Sequence, residues 1–210
     1  MESGVELGLA GEVAELGGVG AGLRPGSRAD FDRLYLACHP RLVRTLTGVL
    51  GDVSAAEDCT QDAFVRAWKA WPRWRPEAPA EAWLYRIALN VAFSHRRRQK
   101  LGQLVDRVLS RSTSELDPGM VVRPDIAEAL KKLPAREAAA VMLRHYHGYS
   151  RKEVAQMLGL SERAVSLRLS RARSILREEL GEELQRVTRL HPQDPPAVSE
   201  QDRCMDRVLG

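Results

Sequence analysis

Between Gly148 and Leu176 the chain reads GYSRKEVAQMLGLSERAVSLRLSRARSIL, two helical signals hinged on one glycine. Ser150 and Glu153 have capping-box spacing, in which each side chain satisfies a backbone donor orphaned at a helix start. Val154, Ala155 and Leu158 follow at helical intervals. Gly159 ends that helix, because glycine enters the left-handed region without a Cβ penalty, and Ser161 can cap the next one. The second helix is predicted from Glu162 to about Leu180. Val165, Leu169, Ala172 and Leu176 form its apolar stripe. Arg163, Ser166, Ser170, Arg173 and Arg177 form a second stripe, about 110° away at roughly 100° per residue. Arg168 and Arg171 flank that polar face. A solvated amphipathic helix would explain one stripe, but the turn, the caps and both stripes agree on more. They specify a helix-turn-helix with the three-residue turn Gly159-Leu160-Ser161. Its second helix can pack on a small core and present serines and arginines to a DNA major groove.

The rest of the chain carries helical patterns and no strand signal. Residues 1–27 hold eight glycines and read as a poorly ordered extension. From Ser27, Phe31, Leu34, Cys38, Leu42, Leu46 and Val49 make a sustained stripe, bent near Pro40. Ser54 and Glu57 have capping-box spacing and open a helix with Ala56, Cys59, Ala63, Ala67 and Trp71 inward. Pro72 and the run RPEAP interrupt the chain, and a further helix is predicted from Glu81 to about Arg98. Residues 101–124 contain SRSTSELDPG and read as a flexible linker. Helices resume at Asp125, one of them opened by Pro134, a favoured first-turn residue. After Leu190 the tail HPQDPPAVSEQDR has a disordered composition. The expectation is an all-α chain of two helical domains, 28–100 and 125–190, joined by the linker and flanked by extensions 1–27 and 191–210.

Charge narrows the partners. The net charge is +4, but residues 28–100 carry 13 basic and 8 acidic side chains and residues 124–190 carry 13 and 9. The two ends are acidic. Two basic folded blocks fit a polyanion. No run of 18 apolar residues predicts a transmembrane helix, and no basic, apolar leader opens the chain, so a cytoplasmic location is expected. Cys38, Cys59 and Cys204 have neither zinc nor disulfide spacing; no metal or cofactor is expected, and Cys38 and Cys59 read as small buried hydrophobes. His145 and His147 are two apart on one helix and face different ways. No nucleophile motif or glycine-rich phosphate loop suggests an enzyme.

The first block holds two further patterns. In AEDCTQDAFVRAWKAW, Asp58, Gln61, Asp62, Val65 and Lys69 lie at three- and four-residue steps on an outer face, where they can meet a partner helix or simply solvent. Then Trp68, Trp71, Trp74 and Trp83, all four tryptophans of the chain, fall within 16 residues. Arg73, Arg75, Arg86 and the run HRRRQK accompany them. Tryptophan beside arginine can stack unpaired bases, worth about 1–3 kcal/mol each; core packing is the competing role, favoured for Trp71 and Trp83. Trp74, between prolines, is the expected stacking residue. Arg96, Arg97 and Arg98 can complement a helix C-terminus or hold phosphates.

Together these stretches resemble the extracytoplasmic-function group of sigma-70 family RNA polymerase sigma factors. AEDCTQDAFVRAWKAW is similar to the region that docks on the polymerase clamp. AEAWLYRIALNVAFSHRRR is similar to the region that melts and reads the −10 element. IAEALKKLPAREAAAVMLRHYHGYSRKEVAQMLGLSERAVSLRLSRAR is similar to the region that reads the −35 element. The likeness covers about residues 28–180.

The resemblance implies a region 2 bundle and a region 4 helix-turn-helix, with core RNA polymerase (the clamp of its β′ subunit), promoter DNA and an anti-sigma factor as partners. It implies polymerase contact at or supported by Asp58, Gln61, Asp62, Phe64, Val65 and Lys69. It implies −10 contact by Trp74, Arg75, Trp83, Arg86, Asn90, Arg96 and Arg97, and −35 contact by Arg163, Ser166, Leu167, Arg168, Ser170 and Arg171. Arg163, Arg168 and Arg173 are alternatively fold or phosphate holders. The chain departs from the family pattern at Leu89, often arginine, at Ser94, often aspartate, and at Arg163-Ala164-Val165-Ser166, often Gly-Thr-Val-Lys. The alternative function is a two-domain helix-turn-helix regulator that binds duplex DNA alone.

Overall fold

A computed structural model describes residues 22–105 and 124–180. Its described residues form helices, turns and connecting segments, without a strand. Helix α1 spans Arg28–Leu50 and starts where Ser27 Oγ accepts the Asp30 amide. The Asp30 carboxylate accepts the Arg24 amide at 2.9 Å and pairs with Arg33. These partners, Arg33 first, hold its pKa down to about 2. The helix runs unbroken through Pro40 and stops at Gly51, whose φ of 73° takes the left-handed cap.

Helix α2, Val53–Ala70, begins earlier than the Ser54 pattern indicates. Asp52 is the cap, accepting the Ala55 amide at 2.8 Å; it lies two residues before Ser54 and serves the orphan donors of the earlier start. A single 3₁₀ turn, Trp71–Arg73, leads to α3, Ala80–Val105. Helix α3 therefore extends into residues assigned to the linker. Trp71 Nε1 donates to Ser27 O at 2.9 Å and ties the end of α2 to the start of α1.

The second group is α4 (Pro124–Lys132), α5 (Ala135–Val141), α6 (Arg151–Leu158) and α7 (Glu162–Leu180). Pro134 caps α5 from just outside. A π-type turn over Met142–Tyr146 prolongs α5, and Gly148 (φ 77°) turns the chain into α6. Expectations that fall on residues 1–21, 106–123 and 181–210 lie outside the described residues.

The apolar stripes read from the sequence are the ones that pack. Every member of the α1, α2 and α7 stripes is buried. Leu89 is buried too, as part of the core. The two groups share one hydrophobic core: α1 lies against α4 and α5, and α3 against α5 and α6. Leu133, Met142 and Tyr149, all from the second group, are fully or nearly fully buried. Each contributes on the order of 1.5–3 kcal/mol by leaving water.

Candidate nucleic-acid interface

The helix-turn-helix is built as its sequence dictates. Ser150 and Glu153 form the complete capping box at the start of α6. Gly159 closes that helix at φ 65°. Ser161 Oγ accepts the Ala164 amide at 3.2 Å and opens α7. With Val165, Leu169, Ala172 and Leu176 buried beneath it, α7 turns Arg163, Leu167, Ser170 and Arg171 to solvent. Ser166 is half-buried, and its hydroxyl donates back to Glu162 O at 3.1 Å. Arg168 does not belong to this outward face. Its guanidinium donates to Glu137 Oε1 of α5 at 3.1 Å, beside a nearly buried carboxylate. Of its two sequence readings, holding the fold is the one the geometry supports, because the apolar stripe pulls that edge of α7 onto α5.

On α2, Asp58, Gln61, Val65 and Lys69 are exposed. Asp62 is half-buried and accepts two hydrogen bonds from Arg66, at 3.0 and 2.8 Å. Phe64 points inward, edge-on to Phe31 and tilted against Tyr35, so it can support a contact but not make one. Trp68, which the sequence grouped only with the other tryptophans, belongs to this outer face. It is 45% exposed and rests on Phe31, with a ring-centroid distance of 5.0 Å. Tyr35 and Leu36 of α1 are exposed as well. The available signal was Trp68 lying three residues after the outward Val65, a spacing that shares one helix face.

Around α3 the structure corrects two assignments. Trp74 is buried and stacks on Trp71 with ring planes 9° apart, so it offers no face to a base. Trp71 and Trp83 converge on it and make the proline-flanked loop part of the core. Arg96 is anchored: it donates to Val49 O at 2.8 Å, Lys131 O at 2.9 Å and Leu133 O at 2.7 Å. It does complement helix C-termini, but those of α1 and α4 rather than its own. Arg75, Arg86, Asn90 and Arg97 stay exposed, and Trp83 is half-buried. Asn90, Phe93, Arg96 and Arg97 line one wall of a cleft of about 600 Å³ whose other wall is Pro134 to Glu137.

A buried polar cluster sits deeper between the groups. The Tyr149 hydroxyl donates to Glu81 Oε1, and Arg41 lies 3.7 Å from the same oxygen. Burial pushes the Glu81 carboxyl up, while Tyr149 and Arg41 pull it back. His147 Nε2 is 2.8 Å from Thr45 Oγ1, whose proton goes to Arg41 O. The imidazole therefore donates to the hydroxyl. Burial, aided by Arg41 and Arg44, holds the His147 pKa down to about 3. Cys38 and Cys59 are buried, and burial raises both thiols. Among the described residues no cluster of His, Cys, Asp and Glu is arranged to hold a metal. No described helix is long and apolar enough to cross a membrane.

Comparison with known proteins matches both blocks. Residues 34–101 fit the family model for sigma-70 region 2, and residues 123–176 fit that for sigma-70, region 4. ECF RNA polymerase sigma factor SigM of Mycobacterium tuberculosis is 32% identical over 160 residues, which are 74% of this chain and 80% of the relative. The Xanthomonas campestris protein described as "Probable RNA polymerase sigma factor RfaY" is 32% identical over 165 residues, 74% of this chain. The chain spans only 41% of that relative's length. Among solved structures, the sigma factor RpoE in complex with the anti-sigma factor NepR from Bartonella quintana matches with a TM-score of 0.62 and 25% identity, covering 72% of this chain and 96% of that one. CnrH in complex with the cytosolic domain of CnrY matches with a TM-score of 0.56 and 28% identity, covering 77% and 94%.

Proposed function

This chain belongs to the extracytoplasmic-function sigma factors of the sigma-70 family, and on that premise we propose that it binds core RNA polymerase and directs transcription initiation from its own −35/−10 promoters. The outer face of α2, with Asp58, Gln61, Asp62, Val65 and Lys69, docks on the clamp of the β′ subunit, and Trp68 adds apolar area to it. Residues 28–100 act as region 2, 125–190 as region 4, and 101–124 connect them. Trp83, Arg86, Asn90, Arg97 and Arg75 meet the opened −10 strand. Arg163, Ser166, Leu167, Ser170 and Arg171 meet the −35 major groove, while Arg168 holds α7 on α5. An anti-sigma factor restrains the chain in the cytoplasm, as the complex of RpoE with the anti-sigma factor NepR suggests by analogy.

One observation carries the reading most: a correctly capped helix-turn-helix with Arg163, Leu167, Ser170 and Arg171 outward, following a helical block that fits region 2. Run-off transcription of genomic fragments by core polymerase, with and without the protein, tests it. Discrete new transcripts that weaken with Arg171→Ala are expected. No transcripts, together with tight duplex binding by the protein alone, would reject it in favour of a free-standing regulator.

A further inference from the structure

Residues 22–27 are built into the fold as a strap over the start of α1. Leu23 is buried, and the Arg24 amide donates to the Asp30 carboxylate at 2.9 Å. Ser27 O accepts Trp71 Nε1, and a Cβ on Gly26 would lie 3.9 Å from the Pro72 backbone. The strap fixes where residues 1–21 join the described residues: beside the first turn of α1 and the end of α2. Apolar surface is exposed next to that point. Six large apolar side chains are exposed among the described residues, and Tyr35, Leu36, Val65 and Trp68 of α1 and α2 are four of them. Phe31 and Phe64 form the floor of this face, with ring centroids 5.0 Å from Trp68 and 4.6 Å from Tyr35 respectively. Exposed rings gathered in one place mark a surface that binds something. Residues 22–35 and 66–73 also expose Arg24, Arg28, Arg33, Arg66, Lys69 and Arg73, against one exposed carboxylate, Asp32.

Residues 1–21 have the complementary composition. They carry Glu2, Glu6, Glu12 and Glu15 and no lysine or arginine. Val5, Leu9, Val13 and Leu16 recur at steps of four, four and three, so on a helix they share one face. Gly8 and Gly11 weaken that pattern as a free helix, so the stripe needs a surface to lie on. The chain between Leu16 and Gly22 reaches about 20 Å when extended. That suffices, because Ser27 touches Trp71, one helical turn from Trp68. A segment tethered so close meets the face at high effective concentration.

We infer that residues 1–21 fold back on the α1–α2 face, laying Leu9, Val13 and Leu16 on Tyr35, Val65 and Trp68 and turning Glu12 and Glu15 toward Arg28 and Lys69. The chain's own leading segment thereby covers the face that α2 offers to polymerase, and core polymerase docks only by displacing it. That consequence rests on the proposed docking role of α2; the fold-back contact itself does not.

Carbodiimide cross-linking of the dilute wild-type, full-length chain tests the contact, because Lys69 is the first lysine and the next is Lys100. A zero-length bond within one chain from Glu12 or Glu15 to Lys69, read by mass spectrometry, is expected. No such bond, or bonds from these glutamates to other lysines instead, overturns the inference. A bond to Lys69 found only between two chains assigns the face to a second copy and also overturns it. Hydroxyl-radical oxidation gives a second readout, in a full-length chain carrying Leu9→Ser, Val13→Ser and Leu16→Ser, none of them a residue assigned to polymerase or DNA. Oxidation of Tyr35 and Trp68 is expected to rise about threefold or more while that of Leu167 on α7 stays constant, and core polymerase binding is expected to tighten by the same factor, since a covered site taxes affinity by its open fraction. Equal oxidation of Tyr35 and Trp68 in wild type and variant overturns the inference. Raised oxidation with unchanged core binding upholds the fold-back and rejects α2 as the docking face.

Discussion

Arg168 and Arg171 are three residues apart on α7, and they do different work. Arg168 faces the nearly buried Glu137 carboxylate, so Arg168→Ala leaves a buried charge without its partner. It is expected to cost about 1–3 kcal/mol, read as a lower urea midpoint. Arg171 is exposed, so Arg171→Ala is expected to leave that midpoint within about 0.5 kcal/mol while weakening −35-dependent transcription. His147 sets a second residue-level expectation. Its pKa is about 3 in the fold against an ordinary 6.5, so the unfolded chain binds the extra proton first. Stability from this group is therefore complete above pH 6.5 and falls as pH drops from there toward 3. The slope approaches about 1.4 kcal/mol per pH unit. Arg41 and Arg44 push the same way, Thr45, Tyr146 and Tyr149 are neutral neighbours, and the raised pKa of Glu81 acts oppositely at lower pH. Melting temperature measured between pH 7.5 and 5.5, a window chosen around the free-imidazole value, is expected to fall for the wild type and to flatten for His147→Gln.

At the scale of the element, Arg96 makes one side chain the terminator of two helices. Arg96→Met keeps an apolar stem and leaves Val49 O, Lys131 O and Leu133 O without their donor. A loss of about 1–3 kcal/mol is expected in chemical unfolding. Arg96→Lys should recover only part of it, because an ammonium is a point donor and not a fork. The elements themselves were legible in the sequence. The stripes of α1, α2 and α7 and the caps Ser150, Gly159 and Ser161 follow from 3.6-residue periodicity and from orphan backbone groups, both local. Arg96 was legible as a terminator but not as whose, since charge in a sequence has no direction in space. Trp74 was misread for the same reason: its two prolines are local, and the Trp71 and Trp83 rings that enclose it arrive from elsewhere. Asp52 outcompeted Ser54 because two residues only two positions apart both suit a cap, and packing against α1 decides between them.

For the whole molecule, the sequence made both blocks and their order legible and hid their embrace. The contacts that join them lie far apart in the chain, Glu81 with Tyr149 and Thr45 with His147, and no periodicity connects such pairs. The candidate site was legible in proportion. The outward face of α7 could be read from its stripes, whereas the burial of Trp74 and the anchoring of Arg96 depend on what packs against them. Cys38 gives this arrangement a clock. Its thiol lies close enough to Glu81 and Arg41 to sense their charges, yet it is buried, and burial raises its pKa. A thiol reagent can reach it only in the intervals when the molecule breathes. Its modification rate in excess reagent should level off at the rate at which the fold around it opens. The chain thus carries a native stopwatch for the opening of its own core.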